Sequence, residues 1–244
     1  MEINVVVLNS VKSTLEEAKM IKNAAEGTVV LAREQTGCRG RIGKRWYSPA
    51  GGLWFTIITQ PNVSSTTSPM LSLSTALAVA KGISKTTGLN ATVRWPNDVY
   101  VHGGKVGGVL TEMKVENDII TQALVSICIN ANFDIDALPD EIRTTATTLK
   151  REAQNEIDLE RLFSNTIDEF SRLYEYYKTG WLEYLVGEIK ESMEFIGAPV
   201  NVMLHSETLI GILTDIDILG RIALKLDTDI IYISPGDVRS ISPL

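Results

Sequence analysis

The chain has 244 residues, of which 44% are hydrophobic and 22% charged, and its formal net charge is −7. These values are typical of a globular protein with one ordinary domain and a small addition. The acidic balance disfavours nonspecific nucleic-acid binding, and no apolar run approaches the ~20 residues that span a bilayer. The N-terminus lacks the features of a signal peptide. Because Cys38 and Cys128 form no spacing pattern, we expect a reduced, cytoplasmic protein without a zinc site.

The first half of the chain alternates predicted strands and helices. Residues 5–8 and 28–32 are short apolar strands, and residues 13–16 have the form of a capping box that begins a helix ending near residue 25. A second helix begins at Ser68 and Pro69, because proline is favoured in the first turn, and it continues to about residue 87. Core strands are predicted over residues 53–60, 91–95, 99–102, 105–113 and 119–130.

The second half contains two predicted helices and a tail of different character. Apolar periodicity predicts a helix over residues 159–177, followed by another over residues 181–195. From residue 197 the chain alternates short strands and turns. Fewer than about fifty residues bury little core by themselves, so the tail should dock on the rest. We therefore expect two parts, residues 1–196 and residues 197–244.

A basic, glycine-punctuated segment over residues 35–52 contrasts with the acidic chain. Glycine lets the backbone approach a ligand closely, and Trp46 offers a flat face for stacking on a ring. One interpretation is a mobile loop that closes over a phosphate and a planar base, and the other is a solvated surface loop. The segment has no acid, and its cations are Arg39, Arg41, Lys44 and Arg45.

A second segment, residues 94–110, shifts the balance towards a binding site. Asn97 and Asp98 are good turn residues, and the first of two glycine pairs around Lys105 is explained by a hairpin turn. The second pair, residues 107–108, is harder to explain, because glycine weakens a strand interior unless another group comes close. A ligand could therefore approach the ammonium of Lys105.

The two segments together resemble the signature regions of biotin protein ligases, in the family's order and at about its spacing. The resemblance runs from about residue 5 to the C-terminus. It implies an α/β fold with a mixed, largely antiparallel sheet flanked by helices, as in class II synthetases, and a small C-terminal SH3-like β-barrel. It also implies a form without an N-terminal DNA-binding domain. The matching stretches are Arg39-Gly-Arg41…Trp46-Tyr-Ser48-Pro49-Ala-Gly51-Gly52-Leu53 and Arg94-Trp-Pro-Asn-Asp98…Lys105-Val-Gly-Gly108-Val-Leu110.

Site residues follow from the same resemblance. Those implied for biotin are Ser13, Thr14, Leu15, Gln35, Arg39, Gly40, Arg41, Lys105 and Gly108. Those implied for ATP are Arg39, Arg41, Trp46, Asn97, Asp98, Lys105 and Asn130. The implied catalytic residues are Lys105, Arg39, Arg41 and Asp98. From the residues alone, Ser13 and Thr14 remain explicable as a helix cap, and Asn97 and Asp98 as turn residues.

The chain departs from the family pattern at four positions. Leu15 stands where the family has asparagine, and Cys38 replaces a glycine, which we expect to restrict the backbone at a hinge. Ser126 and Cys128 replace both glycines of the family's Gly-x-Gly-x-Asn strand. These last replacements narrow the pocket, and they indicate altered specificity or reduced activity.

The activity that the resemblance implies is the ATP-dependent attachment of biotin to a lysine of a biotin carboxyl carrier protein, through biotinyl-5′-adenylate. It requires ATP, biotin and Mg²⁺, with the metal carried by ATP near Asp98 rather than held by the protein alone. We expect no DNA or membrane partner, and a monomer or homodimer. The tail, which has no charged motif of the adenylating type, should not contact biotin. Alternatives are a lipoate or octanoate ligase, a non-catalytic biotin-binding paralogue, and a protein-binding module.

Overall fold

The computed structural model describes residues 1–244, and its largest element is an eight-stranded sheet. The strand order is β1-β2-β3-β8-β7-β6-β5, and β4 pairs with β8 beside β3. Only β1 and β2 run parallel, and the remaining pairs are antiparallel. The strands are β1 (Asn4–Val11), β2 (Thr28–Gln35), β3 (Leu53–Thr59), β4 (Val63–Ser64), β5 (Ala91–Arg94), β6 (Asp98–Val101), β7 (Gly104–Glu116) and β8 (Ile119–Ile129).

Two long helices pack closely beside this sheet. A Cβ atom added at Gly82 would stand 2.5 Å from Oγ1 of Thr166, so glycine is what allows the two helices to approach. None of the helices is long and apolar enough to cross a membrane. The helices are α1 (Thr14–Met20), α2 (Ser68–Thr87), α3 (Asp140–Arg143), α4 (Leu149–Ala153), α5 (Leu159–Lys178) and α6 (Leu182–Ser192). Gly82 lies in α2 and Thr166 in α5.

The tail forms a separate five-stranded antiparallel sheet of the SH3-like kind, in the order β12-β11-β10-β9-β13. The predicted fold class is therefore confirmed. Val202 and Leu213 of this sheet belong to the same hydrophobic core as the main sheet, and Trp95 Nε1 donates to the carbonyl of Gly220 at 2.9 Å. The division at residue 197 stays a prediction. The strands are β9 (Pro199–Leu204), β10 (Thr208–Ile216), β11 (Ile222–Leu226), β12 (Asp229–Ile233) and β13 (Val238–Pro243).

The predicted first helix is too long. It ends at Met20 because the β-branched Ile21 adopts extended angles. The Ser13 hydroxyl accepts from the backbone N–H of Leu15 at 3.2 Å, which confirms the cap. Glu16 does not complete a capping box, and it pairs with Lys19 at 2.8 Å instead. Three short elements, α3, α4 and β4, escaped prediction because each offers too few residues for a periodic pattern.

An ion network joins α2, α5 and α6. Arg172 donates Nη1 to Oε1 of Glu188 at 2.7 Å and Nη2 to Oε2 at 2.9 Å, and Lys81 pairs with the same carboxylate. The hydrogen bonds from Arg172 lower the pKa of Glu188 to about 2. The carboxylate therefore stays ionised, and bound to both helices, far into the acid range.

We expect this network to make the protein lose stability in acid. A carboxyl group whose pKa is lowered by folding contributes stability above its ordinary pKa of 4.5, and that contribution is lost as the pH falls towards 2. Glu188→Gln should remove on the order of 2 kcal/mol of unfolding free energy at pH 7 and flatten this acid dependence. Urea unfolding across this pH window measures both. Glu183→Gln, an exposed change on the same helix, is the control, and equal curves for the two variants would contradict the prediction.

Candidate active site

The basic segment folds as a short two-stranded finger, residues 38–46. The backbone N–H of Gly40 donates to the carbonyl of Lys44 at 2.7 Å, and that of Trp46 donates to the carbonyl of Cys38 at 3.0 Å. The tip turns through Ile42, whose φ of 56° lies in the left-handed region. Cys38 has no positive φ, so cysteine is not strained in this conformation, and the expectation that it restricts a hinge motion stays a prediction.

The finger covers a cavity of about 340 Å³. Its floor comes from β7 and β8, and its far wall from residues 138–146. Six cationic side chains and two acidic ones line it, so the cavity is suited to an anionic ligand. The cations are Arg39, Arg41, Lys44, Arg45, Lys105 and Arg239, and the acids are Asp98 and Glu141.

Nine of the predicted site residues meet at this cavity. They come from the finger, from the turn between β5 and β6, and from β7 and the end of β8. The pairing of β3 with β8 brings the finger, which precedes β3, beside these later strands. The nine are Arg39, Gly40, Arg41, Trp46, Asn97, Asp98, Lys105, Gly108 and Asn130. Asn130 is held by its own side-chain amide, which donates to the carbonyl of Thr147 at 3.1 Å.

Glycine is needed on the cavity floor because other groups come close. A Cβ at Gly108 would stand 3.2 Å from Cζ3 of Trp46 and 3.3 Å from Oδ1 of Asp98. A Cβ at Gly107 would stand 3.1 Å from the carbonyl oxygen of Cys128 on β8. The interpretation that the second glycine pair marks a close approach is confirmed.

Lys105 lines the cavity and pairs with one of its two acids. Its Nζ is 2.6 Å from Oδ2 of Asp98 and 5.2 Å from the centroid of the Trp46 ring. Its backbone N–H donates to the carbonyl of Thr145 at 2.8 Å, so the main chain is anchored independently of the side chain. The indole Nε1 of Trp46 is buried and has no hydrogen-bond partner. The Lys105 ammonium, the unpaired indole N–H of Trp46 and the face of the Trp46 ring therefore lie together in the cavity.

Arg41 connects the finger to the tail. Its Nη2 donates to the carbonyl oxygens of Pro235 at 2.5 Å and Val238 at 3.0 Å, while Nη1 donates to Oδ1 of Asn97 at 3.3 Å. Burial lowers the pKa of Arg41 below its ordinary value, and the charge of Asp98 opposes that shift. The guanidinium lines the cavity, but its hydrogen bonds go to protein atoms. The resemblance implied contacts with biotin and ATP and did not imply these bonds.

Four residues expected at the biotin head group do not line the cavity. Oε1 of Gln35 accepts from the Thr14 backbone N–H at 2.8 Å and hydroxyl at 3.1 Å, and its Nε2 donates to Ser48 Oγ at 2.9 Å and to Cys128 Sγ at 3.7 Å. Ser13 is a helix cap. Leu15 packs in a small apolar cluster with residues of α1, β2, β3 and β8. Their part in ligand binding stays a prediction.

Several lining residues were not predicted. Arg239 of β13 lines the cavity, so the tail supplies a cation to the site, and the expectation that the tail does not contact biotin stays a prediction. A lone arginine in a strand-rich tail gives no sequence signal. Ser126 is buried, lines the cavity, and has no hydrogen bond from its hydroxyl to the protein. Ser126 and Cys128, two residues apart on β8, both line the cavity, as expected for the two residues that replace the family's glycines.

Comparison with known proteins gives a family for this fold and site. The model of the biotin/lipoate A/B protein ligase family matches residues 7–134. The bifunctional ligase/repressor BirA of Bacillus subtilis is 32% identical over 242 residues, covering 96% of this chain and 72% of that protein. A biotin–[acetyl-CoA-carboxylase] ligase of Mycobacterium tuberculosis is 28% identical, covering 87% of this chain and 79% of that protein.

The solved structures agree with the sequence matches. The biotin protein ligase from Aquifex aeolicus in complex with biotin and ATP superposes with a TM-score of 0.85 at 29% identity, and the match covers 99% of both chains. Both the main sheet and the tail are included in that superposition. The chain belongs to the biotin/lipoate A/B protein ligase family.

Proposed function

We propose that the chain is a biotin–protein ligase, which activates biotin with ATP and transfers it to a lysine of a biotin carboxyl carrier protein. Family membership and the biotin and ATP bound by the Aquifex relative support the substrates. The observation that carries the proposal is the cavity itself, where five further cations line the walls around the Lys105–Asp98 pair and the Trp46 ring. This arrangement suits two anions and a planar base.

In the first half-reaction an oxygen of the biotin carboxylate attacks the α-phosphorus of ATP, and pyrophosphate leaves. The protein must bring two anions together and stabilise the extra charge that develops at phosphorus. Preorganised cations in a cavity shielded from water do this best. We assign this role to Lys105 and Arg39 because both line the cavity. Trp46 supplies an aromatic face on which adenine can stack.

Magnesium would enter with the nucleotide. Mg²⁺ prefers carboxylate and other oxygen ligands and is usually held by one or two protein carboxylates together with substrate phosphates. Asp98 and Glu141 are the carboxylates that line the cavity, so the donor set fits such a shared site. Bound there, the metal would neutralise charge on the phosphates.

In the second half-reaction the amine of the acceptor lysine attacks the carbonyl carbon of the adenylate, and AMP leaves. The mixed anhydride must survive until the acceptor arrives, which requires exclusion of water. The finger covers the cavity, and Arg41 ties its tip to Pro235 and Val238 of the tail. We assign the tail, residues 197–244, as the platform that completes this cover and meets the acceptor. We further propose a cytoplasmic enzyme, a monomer or homodimer, without a DNA partner.

Pyrophosphate release tests the proposed function. The protein is incubated with ATP and Mg²⁺, and biotin, lipoate or octanoate is supplied separately. Release that depends on biotin, followed by labelling of a carrier-protein lysine, is the expected result. The absence of biotin-dependent release would overturn the proposal.

A second candidate function is ligation of a different acyl group within the same family. Ser126 and Cys128 put side chains on the cavity floor, and Cys128 contacts Gln35 at the end where the biotin head group is expected. A shorter or straighter acyl chain would avoid these side chains. Release of pyrophosphate with octanoate or lipoate but not with biotin would favour this function.

Replacing Trp46 with alanine should weaken ATP binding more than biotin binding. A base stacked on an aromatic ring gains roughly 1–3 kcal/mol, so we expect the KM for ATP to rise about ten-fold or more. Initial rates of pyrophosphate release at varied ATP and varied biotin separate the two effects. Trp181→Ala, at a ring that is 62% exposed on the surface, is the control. Equal losses for both substrates would indicate a general role in ordering the finger.

A further inference from the structure

The only two cysteines of the chain meet at the base of the finger. They are 90 residues apart in sequence, yet their Sγ atoms are 3.9 Å apart. Cys38 is the first residue of the finger, and Cys128 lies on β8 and lines the cavity. Both side chains are buried. A pair of thiols therefore lies between the finger and the floor of the cavity.

We propose that Cys38 and Cys128 form a site of reversible oxidation, at which a peroxide converts the two thiols into a disulfide that holds the finger against the cavity floor. The Cys38 thiolate attacks one oxygen of hydrogen peroxide, the O–O bond breaks, and a sulfenic acid and hydroxide form. The Cys128 sulfur then attacks the Cys38 sulfur, and hydroxide leaves as the Cys128 proton is released. Two thiols and one peroxide give one disulfide and two waters.

The surroundings of the two sulfur atoms assign their roles. The hydrogen bond from Cys128, helped by Ser48 and Gln35, lowers the pKa of the Cys38 thiol. The same bond, together with burial, raises the pKa of Cys128. Because the thiolate is the reactive form, Cys38 is the sulfur that attacks peroxide. Cys128 borders the cavity, through which a molecule as small as peroxide can enter.

Closing the bond requires movement on the finger side. A disulfide needs about 2 Å between the sulfur atoms, whereas Cys128 is fixed between Trp54 of β3 and Gly108 of β7. Cys38 must therefore move towards β8. Its carbonyl accepts from the Trp46 N–H, so this motion displaces Trp46, whose ring already packs against Gly108, from its position in the cavity. The effect on catalysis, unlike the oxidation itself, rests on the proposed function.

Peptide mapping tests the modification without any assay of activity. The purified protein is treated with hydrogen peroxide, digested under non-reducing conditions and analysed by mass spectrometry. We expect a peptide pair linked through residues 38 and 128, loss of both alkylatable thiols, and recovery of both with dithiothreitol. Cys38→Ser and Cys128→Ser, each of which keeps one thiol, should give no such link. Thiols that remain alkylatable, or that proceed to sulfinic acid without a link, would overturn the proposal.

A second measurement tests closure of the site. Adenylate formation by the linked protein should fall on the order of 10²-fold, as expected for displaced binding groups, and return with dithiothreitol. Cys38→Ser, compared only with its own untreated rate, should not respond to peroxide in this way. A linked protein with an undiminished rate would overturn the role in closure. If the untreated protein adenylates no acyl substrate, the proposed function fails, and the peptide map still decides whether the oxidation site exists.

Discussion

Replacing Lys105 with alanine should lower the rate of adenylate formation by ~10²-fold or more, the loss that follows removal of one charge-stabilising donor. The ammonium is 2.6 Å from Asp98 and lies over the Trp46 ring, in the cation-lined cavity. Without it, the charge that develops on the phosphoryl oxygens loses its nearest fixed cation. Single-turnover formation of the adenylate, measured with saturating ATP and biotin, reports the change directly.

The fold should be unaffected by this substitution. Lys105 is anchored through its backbone N–H to Thr145, and its side chain is part of no apolar cluster. Circular dichroism should therefore match the unaltered protein. Lys114→Ala removes an exposed lysine from the same strand, β7, where it pairs with Glu116, and should leave the rate unchanged. A near-normal rate for Lys105→Ala would mean that the lysine is structural.

Replacing Arg41 with alanine should raise the KM for biotin on the order of 10–10²-fold. The substitution removes a cation from the cavity and frees the finger that covers the bound ligand. The guanidinium supplies one cation to the cavity and also bonds to Asn97, Pro235 and Val238. Loss of these bonds frees the tip of the finger from the tail. We also expect more free adenylate to escape into solution, measured by chromatography of the reaction mixture in the absence of acceptor.

A comparison of two arginine variants separates this role from a general effect of charge. Arg33→Ala removes an exposed arginine from β2 and should change neither KM nor adenylate release. Arg41→Lys keeps the charge but cannot reach both carbonyls and Asn97 with a planar fork. It should therefore retain more affinity for biotin than Arg41→Ala while still releasing adenylate. Tight retention of the adenylate by Arg41→Ala would contradict the assignment of Arg41 as the tie between finger and tail.

The local parts of the fold followed from local patterns. The apolar run over residues 53–60 became β3, and the proline-led run over residues 68–87 became α2 with its predicted bounds. The periodic run over residues 159–177 became α5, one residue longer. In each case the pattern of apolar residues within the segment is enough to predict whether it forms a helix or a strand. The first helix was the exception, because Ile21 turned the chain earlier than its composition suggested.

The site was predictable only where a motif marked it. The basic segment and the residues around Lys105 carried strong patterns, and the structure brings them to one cavity. Residues 138–146 had no periodic pattern, and Arg239 had no neighbours of like charge, so their place at the cavity depends on folding alone. For Gln35 the motif predicted a contact with biotin, but in the structure its side-chain amide is hydrogen-bonded to Thr14 and Ser48.

The sequence by itself determined the strands, the main helices, the glycine-dependent close approach at Gly108 and the chemical character of the site. Only the tertiary structure decided which distant groups meet. Cys38 touches Cys128 because β8 lies between β3 and β7 in the sheet, and Arg41 bonds to Pro235, 194 residues away, because the tail docks beside the finger. Such contacts depend on the order of strands and on shared burial of apolar surface, which are properties of the whole chain and not of any segment.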